Sequence, residues 1–114
     1  DQFCLEKRIN MGLFGKKKIT PTNVDFEDLT FIKVNDNKDV YKYAEYIMHR
    51  VPIVLNFQDC LISEANEVLM FLTGVLYACD GEIVKIQDKV YLMAQKSDLL
   101  GPTLTKFIND YKKQ

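Results

Sequence analysis

The residues best suited to bind a metal or attack an electrophile are Cys4, Cys60, Cys79 and the single histidine, His49. No two cysteines stand in a C-x-x-C pair, and a zinc site needs four ligands, which this set does not offer at any usual spacing. The pattern predicts reduced, partly buried thiols in a cytosolic protein. His49 falls at the end of a helical pattern, where a cation complements the helix dipole. No nucleophile or second base accompanies it. Glu64 and Glu67 share a helix face at i, i+3, the spacing of an acid/base pair, but without a partner they read as a solvated acidic face. Gly12-x-x-Gly15 is too short for a phosphate loop and lacks its lysine pattern. The sequence therefore predicts no enzyme, metal, cofactor or small-molecule substrate. What remains is chemistry by contact. Lys16, Lys17 and Lys18 follow Leu13 and Phe14, and Lys85 lies near Tyr91 in a later hairpin.

The charge is divided unevenly. Residues 1–18 hold Lys7, Arg8 and three lysines against Asp1 and Glu6, a sum of +3, so with a net charge of −1 the rest of the chain carries −4. A basic head on an acidic body fits an anionic lipid surface better than nucleic acid. Met11 reads as a natural start, which makes the first ten residues an upstream extension. With 114 residues the chain is long enough for one core and too short for two. No apolar run reaches the length of a membrane span.

Residues 28–34 (DLTFIKV) alternate as a strand does. Asn35-Asp36-Asn37 is a turn cluster, with Asp36 a candidate N-cap for a helix over about 37–50. Val51 to Phe57 (VPIVLNF) is almost unbroken apolar sequence, the mark of a central strand covered on both faces. Leu61, Ala65, Val68, Leu69, Leu72 and Leu76 then form a helical stripe. Phe57, Phe71 and Tyr77 read as core. Residues 82–87 and 89–95 form a hairpin around Asp88. If Ile86 pairs with Val90, then Val84, Ile86, Val90 and Leu92 share one face, and Ile83, Lys85, Tyr91 and Met93 share the other. The first set is expected beneath the helices. The second is an apolar and basic face in need of cover, by the terminal helix or by a partner. A short helix over about 103–111 closes the chain.

The order is β-α-β-α-β-β, an α/β chain of the two-layer α+β sandwich type. Two helices are expected on one face of a four- or five-stranded mixed sheet, with a short C-terminal helix besides. The opposite sheet face is expected to stay open unless a partner covers it. The organisation is a peripheral segment over 1–18, a linker over 19–27 and a core domain over 28–114.

Four of these elements resemble the SepF family of bacterial cell-division proteins. A hydrophobic strand ends in Leu55-Asn56, and the helix contains Phe71-Leu72-Thr73-Gly74-Val75-Leu76-Tyr77-Ala78. The turn Asp80-Gly81 follows, and then the hairpin from Ile83 to Met93. The likeness runs over about residues 28–100. The opening Met11-Gly-Leu-Phe-Gly-Lys-Lys-Lys18 also resembles the family's amphipathic N-terminus. The resemblance implies a homodimer able to polymerise and bind the C-terminal peptide of FtsZ, the division GTPase. It implies peripheral attachment to the inner face of the plasma membrane at the division site, with no catalysis. On the family pattern Lys85, Tyr91, Ile83 and Met93 would contact the FtsZ tail. Met11, Leu13, Phe14 and Lys16–Lys18 would contact lipid, and Gly74 and Gly81 would permit close approach between copies. Gly81 on its own reads as a turn glycine with positive φ.

The chain also departs from the family. Pro21 arrives early and the linker is short. Three lysines near an anionic leaflet contribute roughly 1 kcal/mol each, so stable attachment of such a short head would rest on many copies acting together. The rival reading is a small ferredoxin-like RNA-binding domain or another interaction module. It requires a basic sheet face with stacking aromatics, and the body charge of −4 speaks against it.

Overall fold

The computed structural model describes residues 19–112. A 3-10 turn (Phe26–Asp28) leads into β1 (Thr30–Lys33), α1 (Val40–Met48), β2 (Ile53–Asn56) and α2 (Ile62–Ala78). The hairpin strands β3 (Gly81–Gln87) and β4 (Val90–Gln95) follow, then the short α3 (Lys96–Leu99) and α4 (Pro102–Lys112). The sheet order is β1-β2-β4-β3. β1 and β2 are parallel across the α1 crossover, whereas β4 runs antiparallel to both β2 and β3. This is the expected mixed α/β sandwich.

Helix α1 starts later than its pattern indicated. The Asp36 carboxylate accepts from the Lys38 N–H at 2.9 Å and so builds the preceding turn instead of capping the helix. The helix ends with Arg50 at φ 64°. The Arg50 N–H reaches the Ile47 carbonyl and the Val51 N–H reaches that of Tyr46. This is the bond pair that closes a helix on a left-handed residue, a position more often held by glycine.

Both faces of the sheet are covered: the face expected to stay open lies under the C-terminal helix. On one face, Ile53, Leu55, Phe57 and Met93 pack with Tyr43, Ala44 and Ile47 of α1 and with Val68, Leu72 and Leu76 of α2. On the other, Val54, Val90, Leu92 and Ala94 pack against Leu104 and Phe107 of α4. Phe26, Phe31, Phe107 and Tyr111 extend this second core as a chain of ring contacts with centroids 4.9–6.1 Å apart.

The hairpin faces are grouped as expected but point the opposite way. Ile83↔Met93 and Lys85↔Tyr91 are cross-strand pairs, so these four residues do share a face. That face lies under α1 and α2, and the Val84, Ile86, Val90, Leu92 face lies under α4. Alternation distinguishes two faces; in a hairpin apolar on both, it does not say which helices take which. The register also differs. Val90 pairs with Gln87, and the ladder shifts between Lys85 and Gln87, which leaves Ile86 without a direct partner.

Gly81 is likewise reassigned. The left-handed residue after α2 is Asp80, at φ 58°, and Gly81 is the first residue of β3. A Cβ on Gly81 would lie 2.5 Å from Leu76 Cδ2 and 3.2 Å from the Ala94 carbonyl oxygen, so its smallness serves packing inside the chain. Gly74, in contrast, faces open space with nothing within 4 Å. Urea unfolding checks the contrast. Gly81→Val is expected to cost about 2–4 kcal/mol through overpacking. Gly74→Ala, measured at dilution, is expected to gain up to about 1 kcal/mol of helix stability.

Candidate partner-binding surfaces

The hairpin places Lys85 and Tyr91 side by side on adjacent strands. The Lys85 side chain is 58% exposed, with Asp88 Oδ1 at 3.8 Å from its ammonium. Tyr91 is half-buried, its ring edge-on to Phe57 with centroids 5.9 Å apart. Phe57 itself is fixed by its N–H, which donates to the Lys89 carbonyl at 2.7 Å and ties the end of β2 to the hairpin turn. Ile83 is half-buried beside them, packed against the α1/α2 core. The hairpin thus presents a cation beside an anchored aromatic ring, with an aliphatic side chain next to it. Acidic and apolar side chains of a peptide suit that arrangement. Met93 is withdrawn from the surface: it is fully buried in the α1/α2 core, its β4 position falling opposite Ile53.

A second surface covers the outer side of α2. Ile62, Met70 and Tyr77 are exposed by 70, 77 and 67%, and with Asn66 and Gly74 they fall on one line at i, i+4 and i, i+3 spacing. Phe71 also reaches the surface, in edge-on contact with Tyr41 at 5.6 Å. Phe71 and Tyr77, expected in the core, are therefore surface residues. The helix is apolar nearly all round, so an apolar residue type does not by itself identify the buried side. Leu61 is also exposed and stands just before the helix.

Other candidate side chains have structural roles. Glu64 accepts from the Asn37 N–H at 3.2 Å, and Glu67 accepts from the Asn37 side-chain amide at 3.0 Å, so the two acids tie α2 to the turn before α1. His49 caps the end of α1. Cys60 is a half-buried thiol and Cys79 a buried one. Burial, and then the Glu64 and Asp36 carboxylates, push the Cys60 thiol above its ordinary value, which disfavours the reactive thiolate. Met11, Leu13, Phe14 and Lys16–Lys18 lie outside the described residues. Among the described residues, no helix is long and apolar enough to cross a membrane.

The family model for the cell division protein SepF matches residues 29–97, from the start of β1 into α3. The chain belongs to the SepF family. It is 35% identical over 78 residues to a cell division protein SepF of Lactobacillus helveticus, covering 68% of this chain and 46% of that protein. It is 30% identical over 84 residues to the Lactobacillus johnsonii protein of the same name, covering 74% and 51%. A third relative, from Acetivibrio thermocellus, is 31% identical over 68 residues, covering 59% and 42%. The chain spans about half the length of the curated relatives it matches. The family assigns this SepF core to cell division.

The two hairpin residues differ in what their loss does to the fold. Lys85→Glu removes an exposed ion pair and sets a second carboxylate near Asp88, both well solvated, and is expected to move the thermal midpoint by no more than about 2 °C. Tyr91→Ala removes a ring packed on Phe57 and is expected to cost about 1–3 kcal/mol. Thermal melts followed by circular dichroism check both.

Proposed function

We propose that this SepF-family chain is a non-catalytic adaptor that binds the C-terminal tail of FtsZ, associates with further copies of itself and attaches the division ring to the inner face of the plasma membrane. The observation that carries the reading is the Lys85 ammonium, exposed beside the anchored Tyr91 ring. Lys85, Tyr91 and the exposed part of Ile83 form the proposed tail-binding surface, and Met93 supports it from beneath. The outer stripe of α2, with Gly74 at its centre, is the proposed contact between copies. A bare glycine amid Met70 and Tyr77 leaves room for a second helix to approach closely. The basic head, Met11 to Lys18, is the proposed lipid contact.

The covered sheet supports this reading over the RNA-binding one. Base stacking needs an open sheet face, and here α1 and α2 occupy one face while α4 occupies the other.

Fluorescence anisotropy with a labelled FtsZ tail peptide tests the central assignment. Lys85→Glu is expected to weaken binding at least about tenfold, since it places a like charge against an acidic ligand. Unchanged binding by this folded variant would remove the site. For the membrane role, flotation with vesicles containing anionic lipid is expected to fall sharply on Phe14→Glu; an unaltered bound fraction would remove the head from the account.

A further inference from the structure

The linker from the basic head does not leave the core as a free tether. The Thr22 N–H donates to the Ser97 carbonyl at 3.0 Å. The Thr22 hydroxyl donates to the carboxylate of Asp98, an acid that is itself buried. One residue on, the Thr103 hydroxyl donates to the Asn23 side-chain oxygen at 2.8 Å. Gly101, between α3 and α4, lies so close beneath the Thr22 carbonyl that any Cβ would overlap it. Four groups from the α3–α4 corner thus hold two consecutive linker residues.

This strap sets the distance to whatever the head touches. Lys18 precedes Thr22 by four residues, which span at most about 14 Å when fully extended. If residues 11–18 lie on a lipid surface, the α3–α4 corner cannot stand far from that surface. The corner is shaped for such contact: Leu100, next to Gly101, is 55% exposed, and Ile19 is 37% exposed. Both are aliphatic; Leu100 directly precedes Gly101, and Ile19 stands three residues before Thr22.

We propose that the α3–α4 corner, through Leu100 and Ile19, rests on the same anionic lipid surface as the head, so that the core stands end-on to the membrane. The inference rests on the membrane role proposed above. It has a directional consequence. β4 runs into the corner, so Tyr91, four residues before Gln95, lies about 13 Å back along the strand from it. The hairpin surface with Lys85 and Tyr91 therefore points away from lipid, toward the side from which a partner's tail arrives.

The chain contains no tryptophan, so a single introduced one reports cleanly. Leu100→Trp and Gln87→Trp, each in the full chain, place a probe at the corner and at the hairpin end. Vesicles of phosphatidylglycerol and phosphatidylcholine, with and without brominated acyl chains, give the readout. The expected result is a blue shift and strong quenching by brominated lipid for Leu100→Trp, and neither for Gln87→Trp. Leu100→Glu should also reduce the floated fraction several-fold with an unchanged far-ultraviolet circular dichroism spectrum. Normal flotation with an unquenched Leu100→Trp probe, or equal quenching of the two probes, would overturn the end-on arrangement and leave the membrane role standing. Failure of the unmodified chain to float would overturn both.

Discussion

The structure depends on one constraint: its two central strands are apolar on both faces and must be covered twice. Leu92 and Met93 are consecutive in β4 and both fully buried, yet their side chains enter different cores. Met93 joins the core under α1 and α2, and Leu92 the core under α4. Each such side chain contributes about 1.5–3 kcal/mol when fully buried, so neither face can be left to water in a chain this small. The sheet is satisfied only because α4 folds back across it with Leu104 and Phe107.

That return of α4 fixes much else. It brings the α3–α4 corner to the end of the sheet where the linker enters, and the buried Asp98 and the bare Gly101 there hold Thr22. It also closes the sheet face on which a nucleic-acid base would stack. The surplus of apolar surface is left on the outside of α2. That helix spends Val68, Leu72 and Leu76 on the core and still shows Ile62, Met70 and Tyr77 to the solvent. The proposed assembly follows from this surplus, because an apolar stripe of this kind is lowered in free energy when a second copy covers it.

Much of this was legible in the sequence. VPIVLNF gave away a strand buried on both sides, and turn residues separated the elements in their correct order. The period of two grouped Ile83, Lys85, Tyr91 and Met93 correctly. What failed was information that periodicity does not carry. A hairpin apolar on both faces has no preferred side, so the assignment to α2 or α4 awaited the tertiary structure. The one-residue shift at Ile86 is a property of the turn, whose left-handed residue is Lys89 and not a glycine. Gly81 was read for its backbone freedom when its use is the close approach of Leu76, with Asp80 supplying the left-handed turn. Phe71 and Tyr77 were read as core by residue type, although the stripe of Val68, Leu72 and Leu76 already places Tyr77 on another side of α2. Of the tail-binding candidates, Lys85 and Tyr91 lie side by side on the hairpin, whereas Met93 is taken by the core.

The central claim is that α2 has more apolar surface than one copy can hide. Sedimentation equilibrium over a range of concentrations tests it most directly. A mass of about twice 13.3 kDa or more is expected at micromolar concentration, falling to that of one chain for Met70→Glu with the fold intact. A single-copy mass for the unmodified chain at every concentration would contradict it.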